Sequence, residues 1–283
     1  MKKPRRDIQA EITQKIVSLI DEHGALWTKP FSELAGVPTN AVTGARYRGM
    51  NSFWLGLLGK TYVASYNQWQ SVGAQVRAGE KGIAIMVPMP IKDKETDEFK
   101  GTWFKAATVF SAEQVDGWTP PEIPEVDQTK VLEGVDAFVA NTGADIRVSA
   151  ERGCYYSPVA DYIHMVHREQ FESTETSDAT TCYYSTLLHE LVHWTGHQSR
   201  NDRIKLMAER SEYAFEELVA EIGAAILCAE LGVTTEVRAD HAQYVAGWLR
   251  ALRSDKKFIF QAAAQAQKAV DFLFSIQELE VAA

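Results

Sequence analysis

Leu187-Leu188-His189-Glu190-Leu191-Val192-His193-Trp194 reads H-E-x-x-H within an apolar run free of glycine and proline. In a helix, residues i and i+4 lie one above the other on the same face. His189 and His193 can therefore turn two imidazole nitrogens toward one ion. Glu190 then sits where a carboxylate can take the proton of a water held at that ion. A five-residue pattern also recurs by chance, so the reading demands a third ligand elsewhere in the chain.

A candidate for that ligand lies in Phe215-Glu216-Glu217-Leu218-Val219-Ala220-Glu221-Ile222, where Glu217 and Glu221 are four apart and share a helix face. This segment resembles the acidic helix of glutamate-type zincins. The resemblance implies Glu217 as the third metal ligand and Glu221 as the carboxylate that orients a ligating histidine. Glu216 points about a hundred degrees away and is expected to be a solvated acid. The three-histidine zincin pattern H-E-x-x-H-x-x-G-x-x-H is not met, because Ser199 stands where its last histidine belongs. His197 would lie about 6 Å along a continued helix from His193, too far to join the ion. It is left as a residue beside the site or a helix-end histidine. Zincins also lay a substrate strand along an edge strand upstream of the motif, and Asp161-Tyr162-Ile163-His164-Met165-Val166 is the candidate. Asp161 and His164 are either close to the site or structural. His241 and Tyr244, at the start of a later helix, are candidates for steadying a developing oxyanion. Two imidazoles and a carboxylate suit a divalent metal, with zinc expected and manganese or cobalt as alternatives.

Around this centre the 283 residues have the composition of a globular protein, 46% hydrophobic and 24% charged. No apolar run approaches the ~18–20 residues of a membrane helix, and no h-region or small-residue cleavage site follows the basic N-terminus, so a signal peptide is not expected. Three scattered cysteines, Cys154, Cys182 and Cys228, fit a reducing cytoplasm and small buried apolar roles. The net charge of −9 is uneven: residues 1–87 carry 11 Lys/Arg and 6 Asp/Glu, and residues 88–283 carry 18 and 32. A nucleic-acid surface belongs in the first part and a cation site in the second. Helices are expected at 5–23, from Asn51 as N-cap through Leu58, around Trp69, and at 128–141, 177–198, 211–231, 239–253 and 256–279. Strands are expected at Ile83–Met89 and Thr102–Phe110, and around Ile146, Tyr155 and Tyr162–Val166. The three prolines of Pro120-Pro121-Glu122-Ile123-Pro124 mark a linker. The expectation is an α+β fold: an N-terminal α+β domain over 1–119, a linker over 120–127, and a mostly helical domain with a small sheet over 128–283.

In the front part Trp27, Tyr47, Trp54, Tyr66 and Trp69 interleave with Lys29, Arg46, Arg48, Arg77 and Lys81. Aromatic faces that stack bases and cations that track phosphates are how single-stranded nucleic acid is held. Tryptophans also fill cores, and Trp54 in its apolar helix reads as core. Arg46-Tyr47-Arg48, set between Gly44 and Gly49, is the leading DNA-contact segment, with Asn51 beside it. Longer motifs run through the chain: Pro38-x-Asn40-Ala41-x-x-Gly44-x-x-Tyr47-Arg48-Gly49-x-Asn51, Gly73-x-x-Val76-Arg77-x-Gly79-Glu80-Lys81-Gly82, and Tyr184-Ser185-Thr186-Leu187-x-His189-Glu190-Leu191-x-His193-Trp194-Thr195-Gly196-His197. In this order they resemble the ArdC-type antirestriction family, which itself is similar to the N-terminal part of plasmid TraC-type primases. One departure is Met165-Val166 where the family pattern has Met-Pro. The resemblance implies an N-terminal single-stranded DNA-binding domain and a zincin-like metallopeptidase domain. It also implies protection of conjugating plasmid DNA from host restriction, with single-stranded DNA as partner and a restriction enzyme or other protein as substrate. The competing reading is a non-catalytic DNA shield whose metal site is structural. A nuclease fits less well, because such enzymes favour carboxylate-rich magnesium sites.

Overall fold

Asp178 opens the helix that carries the motif, its side chain accepting from Thr181 N at 2.8 Å. The helix, Ala179–Trp194, is buried at every position from Cys182 to Trp194, including its serine, threonine and histidines. A helix apolar on all sides belongs in the centre of a protein, and here the others surround it. The computed structural model describes residues 7–24, 36–94, 96–122, 127–173, 178–205, 210–233 and 242–281. Among these the helices are α1 (Ile8–His23), α2 (Gly49–Leu57), α3 (Tyr66–Ser71), α4 (Gln128–Ala140), α5 (Ala179–Trp194), α6 (Arg210–Leu231), α7 (Ala242–Ser254) and α8 (Phe258–Val281). None of them is long and apolar enough to cross a membrane.

The α+β architecture expected from the sequence is the one found. A four-stranded sheet runs in the order β1 (Thr39–Asn40), β2 (Tyr62–Ala64), β5 (Phe99–Ser111), β4 (Ile83–Lys92), with β4 and β5 an antiparallel hairpin. A small pair joins β3 (Gln75–Val76) to β6 (Val115–Asp116). The third sheet has β9 (Tyr162–Val166) in the middle, parallel to β7 (Asp145–Ser149) and antiparallel to β8 (Tyr155–Ser157).

Three expectations need correction. The N-cap of α2 is Arg48, two residues before the helix's Met50, and not Asn51. Asn51 instead clamps β4, accepting from Met86 N at 3.0 Å and donating to Met86 O at 2.5 Å. The motif helix stops at Trp194 and does not reach 198, because Thr195 Oγ1 turns back to Val192 O at 2.6 Å and the chain reverses at Gly196. Finally, β9 is a central strand with both edges paired, so it has no free edge for a substrate; the edge strand facing the motif helix is β8.

The main core is continuous from one half of the chain to the other. Ile12, Ile16 and Trp54 belong to the same buried cluster as Leu188, Leu191, Trp248 and Ala263. Arg253 Nη2 donates to both carboxylate oxygens of Asp21, at 2.7 and 2.6 Å, and Thr13 Oγ1 donates to Lys256 O at 2.9 Å. Arg48 reaches Asp271 on α8 in the same way, at 2.5 and 2.6 Å. Thus α1 and α2 pack on α7 and α8, and the front sheet is fixed to the helical body.

Candidate metal centre

The centre is built where α5 and α6 come close. Gly223 makes that approach possible: a Cβ there would lie 2.8 Å from Val192 Cγ1 and 2.9 Å from Cγ2. With the helices in contact, His189 and His193 face Glu217. The Nε2 atoms of the two histidines are 3.1 Å apart, and the Glu217 carboxylate spans them, Oε2 lying 3.6 Å from His189 Nε2 and Oε1 3.5 Å from His193 Nε2. A tetrahedral ion with bonds of about 2.0–2.1 Å separates its donors by about 3.3–3.4 Å. The observed donor separations, 3.1 to 3.6 Å, bracket that value. All three residues are buried.

The protonation pattern also suits a cation. Glu216 Oε1 lies 3.0 Å from His193 Nδ1, and a neutral ring with its proton on that bond turns its Nε2 lone pair toward Glu217 and His189. Burial alone would push the His193 imidazole down, yet the Glu216 hydrogen bond and the charges of Glu217, Glu216 and Glu190 outweigh it and raise it, so the acids around this ring favour positive charge at the site. Glu216 is pushed up by burial, but Arg203 and His193 together hold it below the usual carboxylate range. Arg203 donates to Glu216 from Nε at 2.7 Å and from Nη2 at 2.8 Å. Four carboxylates are buried at the site: Glu190 beside His189 on α5, and Glu216, Glu217 and Glu221 on the facing α6. Unneutralised charge at that depth is costly, and one guanidinium does not balance it. The donor set fits a divalent metal.

Glu216 is therefore a correction: it is not solvated but enclosed, on a face of α6 covered by the returning segment 200–205. That segment depends on Gly196, where a Cβ would sit 2.7 Å from Ile204 Cγ1. Its amides Arg203 N and Ile204 N donate to Gly196 O at 2.9 and 2.8 Å. Arg203 also donates to Val192 O at 2.8 Å, covering a carbonyl at the end of α5. Glu221 sits on the other side, its Oε2 3.9 Å from His189 Nδ1.

Beside the triad opens a cavity of about 920 Å³ that Glu190 lines together with Tyr155 and Tyr156 of β8, Tyr213, Phe215 and Phe258. Asp161 and His197, expected near the ligands, serve another purpose. Asp161 is ion-paired with Arg200, accepts from Tyr156 Oη at 2.8 Å, and lies 3.7 Å from His197 Nδ1. Together they pin the turn after α5 to the sheet. His164 is buried between Ser149 Oγ and Gly153 O, each at 2.8 Å. His241 and the Tyr244 side chain lie outside the described residues.

The family model for the N-terminal domain of anti-restriction factor ArdC matches residues 6–128, and that for zincin-like metallopeptidase matches 133–265. The crystal structure of the Mn(II)-bound antirestriction ArdC protein from plasmid R388 superposes with a TM-score of 0.77 and 39% identity, over 96% of this chain and 98% of that one. This chain belongs to the ArdC antirestriction family. The metal-free R388 structure gives a TM-score of 0.75. An uncharacterised protein of Sinorhizobium fredii is 33% identical over 96% of this chain and 92% of its own length. The Escherichia coli DNA primase TraC is 35% identical over 99% of this chain, which spans only 28% of that protein.

In this ArdC-family chain the residues expected to hold DNA are dispersed. Arg46 is ion-paired with Glu230 of α6, and Arg48 with Asp271 of α8. Tyr47 packs beside Leu55, Val63 and Ile85, with Asn40 Nδ2 donating to its hydroxyl at 3.4 Å. Arg77 is held by Asp116 at 3.2 Å and Glu80 at 3.3 Å. Tyr66 and Lys81 are exposed. Trp69 offers no stacking face: it is wholly enclosed, donates to Phe110 O at 3.0 Å, and meets Trp118 edge-on. Trp27 and Lys29 lie outside the described residues. The sequence reading passed over the aromatics that are exposed on the hairpin, Phe99, Trp103 and Phe104. Strand alternation and the charged loop between the strands were the only signals available for them.

Proposed function

We propose that this protein is an antirestriction factor of the cytoplasm that holds single-stranded DNA with its front half, about 1–119, and hydrolyses a peptide bond at the His189–His193–Glu217 centre. The observation that carries the reading is the closed triangle of buried donors with Glu190 on the wall of the adjoining cavity. A bound divalent cation, zinc or manganese, supplies Lewis acidity at that point. The rest is assigned to the chain. His193, oriented by Glu216, keeps its Nε2 lone pair on the donor triangle. Glu190 takes the proton of the attacking water and delivers it to the amide nitrogen as the C–N bond breaks. The unpaired edge of β8 positions an extended peptide by main-chain hydrogen bonds, with Tyr155 and Tyr156 beside it. The buried acids and the enclosed triad make the site costly to maintain for a shield alone, which is why hydrolysis is preferred to a purely structural metal.

The test is Glu190→Gln in the full chain. It should keep its metal by elemental analysis and lose peptidase activity against an unfolded protein by a factor of about 10² or more. Metal retention together with unchanged protection of incoming DNA would favour the shield.

A further inference from the structure

A second cavity, about 500 Å³, lies on the opposite side of α8 from the metal centre. Its size is that of a small-ligand pocket. Phe258 and Gln265 of α8 face the metal cavity, whereas Phe260, Gln261 and Ala264 face this one, so α8 is the wall between them. The floor is Met50 and Met86; the outer wall is Phe104 of β5, a residue 49% exposed. At the rim stand Lys257, Gln9 and Gln261, whose side chains have no hydrogen-bond or ion-pair partner among the described residues. Arg48 completes the rim, and no carboxylate lines the cavity.

We infer that this cavity seats one unstacked base of single-stranded DNA, with Phe104 as the stacking face and Lys257 as the phosphate contact. The inference rests on the DNA-binding reading above and gives it a place. A largely apolar cavity edged by amides and an ammonium without partners among the described residues matches a nucleotide: the ring enters the cavity, its edge meets amides that both donate and accept, and its phosphate meets the ammonium. Paired bases keep their faces covered and cannot enter, so the seat selects single strands.

The experiment measures binding of labelled (dT)20 by fluorescence anisotropy, with the corresponding duplex and free dTMP as comparisons. Phe104→Ala should weaken (dT)20 binding about five- to tenfold and leave duplex binding unchanged. Lys257→Gln should reduce the salt slope by about 0.7. Ala264→Trp, which fills the slot from α8, should weaken (dT)20 as Phe104→Ala does; melting temperatures near wild type exclude unfolding as the cause. If the wild type binds (dT)20 and neither slot variant changes it, DNA binds elsewhere and this seat is wrong. If dTMP binds as tightly as (dT)20, the seat serves free nucleotides and the inference is again overturned. If the wild type binds no (dT)20 at all, the DNA-binding reading itself fails.

Discussion

Glu216 Oε1 lies 3.0 Å from His193 Nδ1, and the same carboxylate receives two hydrogen bonds from Arg203. This relay runs from the turn after α5 through α6 to a metal donor, so loss of a group that touches no metal should still weaken metal binding. Carboxylates that orient a ligating histidine are typically worth 10–100-fold in affinity. Glu216→Ala should lower affinity by that factor, and Glu216→Gln, which can still accept from Nδ1, by less. Arg203→Met should behave like Glu216→Gln and also destabilise the fold by about 3 kcal/mol, since Glu216 is left buried without its guanidinium partner and with only His193 to hold it. Chelator competition and thermal melts measure the two effects. Equal metal affinity in all three variants would remove the relay from the site.

Gly223 offers a cleaner geometric test. Alanine is the better helix former by about 1 kcal/mol, and an exposed position would gain from it. Here the added methyl would meet both γ-carbons of Val192, on a short side chain that cannot swing clear. Overpacking of this kind costs about 1–3 kcal/mol, so the net effect should be destabilising. The displacement also falls between His193 and Glu217, so metal affinity should drop with stability. Gly223→Ala with raised stability and intact metal affinity would show that α5 and α6 do not need this contact.

How much of this could be read from the sequence follows from how local each feature is. His189 with His193, and Glu217 with Glu221, obey helical spacing along apolar runs, and period alone places each pair on one face; the ligand role of Glu217 follows from the resemblance to glutamate-type zincins. Glu216 escaped because a single buried face was assumed for α6, whereas the turn at Gly196 returns residues 200–205 over a second face. That coverage depends on Ile204 and Arg203 docking, which no periodicity encodes. Trp69 and Asn51 failed for a related reason: an aromatic or amide in a basic segment looks the same whether it faces water or, as here, Phe110 O and Met86. The edge role passed from β9 to β8 because strand order is set by pairing partners, not by position in the chain.

Acid should reveal the Asp161–Arg200 pair that holds the turn after α5. Hydrogen bonds from Arg200, opposed by burial and helped by Tyr156, hold the Asp161 carboxyl below its usual 3.8. A carboxyl with a depressed folded value contributes stability that is fully present above the unfolded value and is lost as pH falls through the folded one. Wild type should therefore melt above Asp161→Asn by a constant margin from pH 7 to about 5, and the margin should shrink from about pH 4 downward. A margin that holds steady to pH 3 would mean the pair contributes nothing.

Arg46 poses the last question, since it is the leading DNA-contact candidate and also the partner of Glu230. Burial raises the Glu230 carboxyl, and the charge of Arg46 partly offsets that. The Arg46 side chain is 61% exposed and that of Glu230 16%, so the pair is worth at most about 1 kcal/mol to the fold. Phosphate and Glu230 would compete for the same guanidinium. Glu230→Gln removes the competitor while keeping the shape. If Arg46 contacts DNA, this variant should bind (dT)20 more tightly, with a salt slope steeper by about 0.7, and the gain should vanish in the Arg46→Gln, Glu230→Gln double variant. If Arg46 is only a clasp between the front sheet and α6, Glu230→Gln should leave both affinity and slope unchanged, and its melting temperature should match that of Arg46→Gln, because either change breaks the same pair.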